Sequence, residues 1–295
     1  MKYLLALALL SSAILAQTFR STTTMIRAET LVQENGHVVN GLQASDFAIE
    51  DEGQPRPVES MGAESGAIRL LLLLDASGSM QSAVRQLRET GLAAMSVLHP
   101  DDAVALMTFD SKASLRVPFT TDRTAVIAGV SKILGKPLGG ETDIYRSLSG
   151  AAKYIGKDKS VPNVILVLTD NAARADTTEA TALRDVWAAS AAVDSLVVSS
   201  APLWDEKISQ SLVGTKIQDI RRITSQTGGI VRQTPDVQSA LRDMLENSRT
   251  RYTLFFKQPD SPAGALHHMS VTLTGAARAR HPNAVVFSRT AYYAE

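Results

Sequence analysis

A run of five leucines that stops at an acid constrains this chain more than any other feature. Leu70 to Leu74 is followed by Asp75, and then Ser77 and Ser79 lie at alternate positions around Gly78. The run is too short to cross a bilayer, so we expect a strand that is buried on both faces of a sheet. Such a strand delivers a carboxylate and two hydroxyls to its C-terminal end. These are hard oxygen donors, which Mg²⁺, Mn²⁺ and Ca²⁺ prefer.

The composition is that of an ordinary globular protein without a dominant charge. The 295 residues include 30 basic and 30 acidic side chains, so no overall field attracts nucleic acid or an anionic membrane, and we expect neither as a partner. The 44% hydrophobic content favours a folded core over disorder. The chain has no cysteine, which excludes disulfides, thiolate metal sites and a cysteine nucleophile.

The first residues have the pattern of an export signal. Lys2 precedes an apolar stretch from Tyr3 to about Ala16, small residues offer cleavage points, and polar sequence starts at Gln17. An uncleaved anchor is the alternative, but the stretch is shorter than the ~20 residues that a spanning helix needs. We therefore predict a signal peptide at 1–16, no membrane span after its removal, and a secreted or periplasmic protein.

Short β-strand patterns occupy both ends of the remaining chain, at residues 17–66 and 251–295. Asn35-Gly36 indicates a hairpin turn, and Pro55 and Pro57 are expected to break any strand ladder around them. So few strands cannot close a core alone. We predict that the two terminal segments pack together into one small all-β module.

Residues 67–250 alternate between strand and helix patterns. Strand patterns occur at 70–74, 103–109, 115–119, 164–168, 196–198 and 230–231. Helical spacing occurs at 84–98, 126–134, 144–155, 178–190, 217–223 and from 236 onward. This alternation predicts an α/β fold with a doubly wound, mainly parallel sheet and helices on both faces.

Three segments are expected at the carboxyl ends of the strands, where sites form in an open α/β sheet. They are Asp75 to Ser79, the loop Gly139-Gly140-Glu141-Thr142-Asp143, and Thr169-Asp170. The candidate ligands of one divalent cation are Asp75, Ser77, Ser79, Thr142 and Asp170. Five such oxygens leave one position of an octahedral shell for water or a partner. In the alternative interpretation, Asp75 merely caps the following helix and the serines are turn residues.

This set of residues resembles the metal-ion-dependent adhesion site of the von Willebrand factor type A (VWA) domain. That site has Asp-x-Ser-x-Ser, a Thr after a Gly-Gly turn, and an Asp in a Thr-Asp-Gly strand end. The resemblance covers about Ala67 to Arg249 and implies a Rossmann-like fold, a bound Mg²⁺, Mn²⁺ or Ca²⁺, and an interaction protein rather than an enzyme. It implies no particular ligand.

The flanking segments resemble a narrower group, the VWA-related secreted proteins abundant in acidobacteria. The residues that carry this resemblance include Gly41-Leu42, Thr227-Gly228-Gly229, Arg251-Tyr252 and the closing stretch from Arg289 to Tyr293. In that group a secreted β-strand segment precedes the VWA domain.

Two positions depart from the VWA pattern. Glu141 stands between the Gly-Gly turn and Thr142, and Asn171 replaces the usual glycine after Asp170. Asparagine tolerates a left-handed backbone better than most residues, so the turn is expected to survive. Glu141 or Asp143 close to the cation would raise metal affinity but weaken the attraction for an incoming carboxylate.

Charge counting gives the leading function. The two carboxylates balance the charge of one divalent cation, and the other ligands are neutral hydroxyls. The cation therefore stays electrophilic and can accept a Glu or Asp side chain of a partner protein as a further ligand. One rival is a Mg²⁺-dependent hydrolase or phosphotransferase that uses Asp75. However, Ser77 stands where aspartyl-phosphate-forming enzymes have a second acid, and the three segments contain no histidine to act as base. The other rival is a purely structural metal site.

The remaining histidines and tryptophans receive structural interpretations. His267 and His268 are adjacent, so in a strand they face opposite sides, and we expect them in a loop or at a strand edge rather than at a metal. Trp187 and Trp204 are expected to pack in the core.

Overall fold

The computed structural model describes residues 24–62, 66–135, 139, 141–156, 161–198 and 217–295. The signal peptide predicted at 1–16 and the packing predicted for Trp204 lie outside this part of the chain. No helix among the described residues combines the length and the apolar character that crossing a membrane requires.

Strands and helices alternate through the middle of the chain, and strands dominate at both ends. The strands are β1 (Met25–Glu34), β2 (His37–Val38), β3 (Phe47–Asp51), β4 (Gln54–Arg56), β5 (Ser60–Met61), β6 (Arg69–Asp75), β7 (Ala103–Phe109), β8 (Ala113–Thr120), β9 (Asn163–Thr169), β10 (Ala173–Arg174), β11 (Ala191–Val197), β12 (Ile217–Gln218), β13 (Val231–Gln233), β14 (Tyr252–Lys257), β15 (Leu266–Leu273), β16 (Ala284–Ser288) and β17 (Ala291–Tyr293). The helices are α1 (Gln81–Ala94), α2 (Arg123–Leu134), α3 (Ile144–Ile155), α4 (Glu179–Ala188), α5 (Ile220–Gln226), α6 (Val237–Arg249) and α7 (Gly275–Arg280). Short 3₁₀ helices lie at Ala44–Asp46, Gly78–Met80 and Met95–Val97.

The central sheet has the strand order β13-β11-β9-β6-β7-β8. All neighbours are parallel except β8, which runs antiparallel to β7 at one edge. Helices α1, α2 and α6 pack on one face, and α3, α4 and α5 pack on the other. The predicted doubly wound, mainly parallel α/β sheet is therefore confirmed.

The leucine run is the strand on which both layers pack. Leu70, Leu72 and Leu74 contact one layer of helices, while Leu71 and Leu73 contact the other, and all are buried. Full burial of a leucine side chain contributes about 1.5–3 kcal/mol. The absence of polar residues before Asp75 thus follows from a strand that is covered on both sides.

Strands from the two ends of the chain pair with each other in two antiparallel sheets. One sheet has the order β16-β1-β14-β5, with β2 also paired to β1, and the other has the order β17-β15-β3-β4. Strand β1 lies between β14 and β16, and β3 pairs with β15. Side chains of both sheets, including Ile49, Tyr252 and Phe256, share one apolar cluster. The boundaries placed at residues 66 and 250 stay a prediction.

Pro55 corrects one expectation, because it lies inside a strand. Strand β4 pairs only with β3, and Pro55 is opposite Glu50. At the edge of a sheet, one side of a strand has no partner, so the missing N–H of proline removes no ladder hydrogen bond.

Two element boundaries were also predicted wrongly. Strand β11 begins at Ala191 rather than 196, because the alanine-rich stretch before it carries neither a strand nor a helix period. Ile217 belongs to the short strand β12, since the Asp219 side chain accepts a hydrogen bond from the Arg221 N–H and so caps α5.

The loop before β13 passes unusually close to β11. At Gly229, an added Cβ would lie only 1.8 Å from the Val193 carbonyl oxygen, so no larger residue fits without moving the backbone. The preceding residues reach the C-terminal strands through a bridge between Thr227 and Arg289. Glycine is therefore required where the central sheet meets the terminal strands.

We predict that Gly229→Ala destabilises the fold by about 3 kcal/mol or more, because the methyl group overlaps a strand carbonyl. Gly275→Ala is the matched control, since nothing lies within 4 Å of its added Cβ. Urea unfolding should give equal or slightly higher stability for this control. Equal midpoints for the two variants would contradict the close approach.

Candidate functional site

Asp75 ends β6 and lies buried beneath the C-terminal edge of the sheet. Its Oδ1 accepts a hydrogen bond from the Ser77 N–H at 2.9 Å, and its Oδ2 accepts one from the Thr169 hydroxyl at 2.7 Å. Strands β6 and β9 are neighbours, with Leu74 opposite Leu168, which brings Thr169 alongside the acid. These two bonds fix the direction of the carboxylate from both neighbouring loops.

A chain of oxygen atoms leads from this loop to the end of β9. The Ser77 Oγ lies 3.1 Å from the Ser79 Oγ, and the Ser79 hydroxyl donates to Asp170 Oδ2 at 2.5 Å. The other oxygen of Asp170 accepts a hydrogen bond from the Ala172 N–H. Two segments that are far apart in sequence, with Ser79 and Asp170 separated by 91 positions, are thus joined directly.

The third segment contributes Thr142 to the same cavity. This cavity measures about 830 Å³, and its lining includes Ser77, Ser79, Thr142 and Asp170, with the exposed Glu141 on its wall. The Gly139 N–H donates to the Ala76 carbonyl, which holds the loop against the Asp75 turn. Four predicted ligands therefore face one cavity, and Asp75 lies below them.

Asp143 is occupied by structural hydrogen bonds. Its carboxylate caps α3 by accepting from the Arg146 N–H, and it also accepts from Thr177 Oγ1 at 2.6 Å and Gln218 Nε2 at 2.9 Å. A carboxylate with these partners holds the surrounding loops together. Of the two acids expected near the cation, Asp143 is thus committed to other contacts, while Glu141 is exposed at the cavity.

Asn171 explains how the turn after β9 survives without glycine. Its φ is +60°, in the left-handed region that asparagine tolerates. The side chain is used as well: Nδ2 donates to Asp219 Oδ1 at 3.0 Å, and Oδ1 accepts from the Ile220 N–H at 2.9 Å. A glycine could supply the backbone angle alone, whereas Asn171 also attaches the start of α5 to the site.

The electrostatics of the site are those of two acids without a counterion. Within the described residues, no lysine or arginine nitrogen lies within 4.0 Å of a carboxylate oxygen of Asp75 or Asp170. Burial raises the pKa of Asp75, hydrogen bonds from Thr169 and Ser77 oppose this rise, and the charge of Asp170 adds to it. The site thus holds two carboxylates without a direct ion-pair partner, in a cavity whose wall also includes Arg146 and Arg174. That its residues bind a metal stays a prediction.

Some contributions were not foreseen from the sequence. Thr169 was noted only as a flank of Asp170, yet it is the hydroxyl that contacts Asp75. Asp219, which holds Asn171, stood in a segment predicted as continuous helix. A helix-capping acid at that position was the available signal, because aspartate is one of the residues favoured at the N-cap of a helix.

A second group of possible metal ligands lies in the terminal strands. Ligand atoms of Asp51, Glu52 and His267 lie within 4.8 Å of one another. His267 was expected in a loop or at a strand edge, and this prediction is wrong. The residue is buried in β15, between β3 and β17, and its Nδ1 is 2.9 Å from Asp51 Oδ1. Tyr292 donates to the other oxygen of Asp51 at 2.6 Å, so this acid already has two partners. His268 faces the opposite side, as predicted for adjacent strand residues.

The central sheet and the group of residues around Asp75 and Asp170 define an α/β domain with an acidic site at the carboxyl edge of a parallel sheet. The family model described as the von Willebrand factor type A domain matches residues 70–172, a range that contains all five predicted ligands. The chain therefore contains a VWA domain. None of the curated proteins compared with the chain matches it significantly.

Solved structures with similar folds include two bacterial proteins and one from an animal. An aerotolerance-related membrane protein from Bacteroides fragilis is 18% identical, with 62% of this chain and 98% of that chain covered and a TM-score of 0.45. A von Willebrand factor type A protein from Catenulispora acidiphila is 13% identical, with 94% and 75% covered and a TM-score of 0.49. Proximal thread matrix protein 1 from the mussel byssus, with a zinc-occupied MIDAS motif, is 15% identical, with 66% and 48% covered and a TM-score of 0.49.

We predict that Asn171→Ala lowers the free energy of unfolding by about 2–3 kcal/mol, from a strained backbone and two lost hydrogen bonds. Asn35→Ala is the matched control, because Asn35 also has a positive φ (+52°) but is exposed in a hairpin turn. It should lose only about 1 kcal/mol. Hydrogen exchange at the first amides of α5 should accelerate in Asn171→Ala alone. Equal losses in the two variants would show that the side-chain bonds of Asn171 contribute nothing.

Proposed function

We propose that this chain is a secreted or envelope binding protein, not an enzyme, that recognises a protein partner through a divalent cation. The proposed ligands are Asp75, Ser77, Ser79, Thr142 and Asp170, and the proposed cation is Mg²⁺, with Mn²⁺ or Ca²⁺ as alternatives. The observation that carries the proposal is the pair of carboxylates without a positively charged partner. The export pattern at residues 1–16 supports the location.

The donor set fits such an ion by its chemistry. All five residues offer carboxylate or hydroxyl oxygens, the ligands of hard cations, and no nitrogen or sulfur competes. Burial and the charge of Asp170 both raise the pKa of Asp75, so ionising Asp75 costs free energy unless a cation compensates it. The hydrogen bond from Ser79 to Asp170 keeps the two loops at a distance at which one ion can contact both.

The protein's own residues have separate tasks in this scheme. Thr169 and the Ser77 N–H orient Asp75, and Asn171 fixes the turn that carries Asp170. When bound, the cation supplies a positive charge that an incoming carboxylate can approach. The two ligand acids together carry only two negative charges, so the attraction for a Glu or Asp of the partner is not cancelled.

A binding role agrees better with the cavity than catalysis does. Its described lining has no histidine, lysine or cysteine, so a general base there would have to be a carboxylate. The serines bond each other and Asp170 rather than a base. A phosphotransferase that forms an aspartyl phosphate also needs an exposed nucleophilic carboxylate, whereas Asp75 is buried.

We predict that Mg²⁺ raises the Tm of the wild-type protein, because the ion binds the folded state, and that Asp75→Asn abolishes this rise. In chelator at neutral pH, Asp75→Asn should itself be about 2–3 °C more stable than wild type. The sign follows from the raised pKa of Asp75, because folding disfavours the ionised carboxylate. The free energy of unfolding of the wild-type protein therefore falls as the pH rises from 3.8, the ordinary pKa, through the higher pKa of Asp75 in the folded state.

The control for this experiment is Asp101→Asn. Asp101 is an acid whose side chain is 78% exposed and which lies outside the site, so its replacement should leave the response to Mg²⁺ unchanged. Scanning calorimetry or fluorescence-monitored melting gives the Tm values. A full Mg²⁺ response in Asp75→Asn would exclude Asp75 as a ligand.

We further predict that the immobilised full chain captures envelope proteins in Mg²⁺ but not in chelator. Capture should also fall at least about tenfold with Asp75→Asn and when the carboxylates of the extract are converted to amides, because the bridge needs both. Asp101→Asn should capture normally. A Tm increase without capture would identify a structural ion, and Mg²⁺-dependent phosphatase or esterase turnover lost in Asp75→Asn would identify an enzyme.

A further inference from the structure

The cavity between the terminal strands and the central domain contains a buried arginine without an acidic partner. Arg289 is only 7% exposed, and within the described chain no carboxylate oxygen lies within 4.0 Å of its guanidinium. Its Nη1 donates to Ser190 Oγ at 3.2 Å, while its Nε is buried without any hydrogen-bond partner. A buried charge with so few partners is costly, so the surroundings of Arg289 need an explanation.

Counting the neighbouring buried charges leaves one positive charge in excess. Arg27 pairs with Glu29 at 3.0 Å, and Arg251 pairs with Asp194 at 2.7 Å. Three buried guanidinium groups therefore face two buried carboxylates, and the third carboxylate nearby, that of Glu295, is exposed. Both buried acids are paired directly with another arginine, so Arg289 has only a longer-range attraction to Glu29.

The protonation of these groups strengthens the excess. Burial raises the pKa of Glu29, which nearby arginines only partly oppose, so the negative side of the cluster is the weaker one. Burial lowers the pKa of Arg289 to about 10, with repulsion from Arg27 as the next cause and attraction to Glu29 opposing it. Arg289 thus keeps its charge at neutral pH. Glu295, at the cavity mouth, is exposed and provides a weaker attraction.

The cavity beside Arg289 has walls that are about equally polar and apolar. It measures about 670 Å³, within the size range of small-molecule sites, and its lining includes Ile26, Trp187, Phe255 and Tyr293. Arg27, Arg289, Ser190 and Glu295 provide polar groups in the same lining. Ser190 itself has a left-handed backbone with φ of +49°, a strained conformation at the point where its hydroxyl meets Arg289.

We propose that this cavity binds a small organic carboxylate that carries an aromatic or branched apolar group. The carboxylate would pair with Arg289, whose planar guanidinium suits a two-oxygen acceptor, and the apolar group would pack against Trp187 and Phe255. Such a ligand would give the Arg289 guanidinium a direct acidic partner and would cover the apolar part of the lining. The site is separate from the proposed cation site and does not depend on it.

The experiment is a fluorescence titration of the full chain carrying Trp204→Phe, so that Trp187 is the remaining tryptophan. The probes are 3-phenylpropionate, its uncharged amide, and inorganic phosphate. Chelator is present throughout, so no probe can bind through a metal at the other site. We expect saturable binding of 3-phenylpropionate, with the amide and phosphate each at least about tenfold weaker, because each lacks one of the two required features.

Arg289→Gln should weaken 3-phenylpropionate binding at least about tenfold, and Arg88→Gln, an exposed arginine on α1, should not. If Arg289→Gln does not fold, the difference in affinity between the acid and the amide on the parent chain still tests whether the cavity requires a carboxylate. Equal affinity for acid and amide, or no saturable signal at millimolar acid, would overturn the proposal. Equal affinity for phosphate and 3-phenylpropionate would contradict the proposal that the ligand needs an apolar group.

Discussion

The contact between Asp75 and Thr169 is the interaction on which the site depends. It joins the ends of two adjacent parallel strands, and it can form because five leucines keep β6 in the middle of the sheet. The same burial that stabilises the strand makes the carboxylate at its end expensive to ionise. The leucine run therefore both stabilises the sheet and buries the Asp75 carboxylate. A bound cation would offset the free energy that ionising this carboxylate costs.

The three loops of the site are held by different means. The Asp75 loop is ordered by its own Asx-type hydrogen bond to Ser77, the Asp170 turn by Asn171, and the Thr142 loop by the Asp143 cap of α3. None of these contacts uses the oxygens of the predicted ligands Ser77 and Thr142. The side chains that would meet an ion are thus supported by a framework of other residues, as a preorganised site requires.

Much of the fold and of the site could be predicted from local sequence. Apolar strands with full burial, helical spacing and the acid after a strand are short-range signals, and they located β6, β9 and four residues that line one cavity. The start of β11 and the role of Asp219 were missed, because the alanines before β11 suit either element and the Asp219 contact depends on tertiary structure. The burial of Arg289 without a neighbouring acid could not be predicted, since a lone arginine in a sequence does not reveal whether an acid lies beside it.

The chain illustrates why a net charge of zero says little about local neutrality. The acidic site lies at the carboxyl ends of β6 and β9, whereas Ser190, which contacts Arg289, directly precedes the amino end of β11. A seven-residue strand separates these edges by roughly 20 Å. Two unit charges about 20 Å apart attract each other by only about 0.8 kcal/mol at an effective dielectric constant of about 20, so the charge at one edge offsets little of the cost of burying the charge at the other. Each edge of the sheet must be neutralised where it is, which is why we assign a cation to one edge and an organic anion to the other.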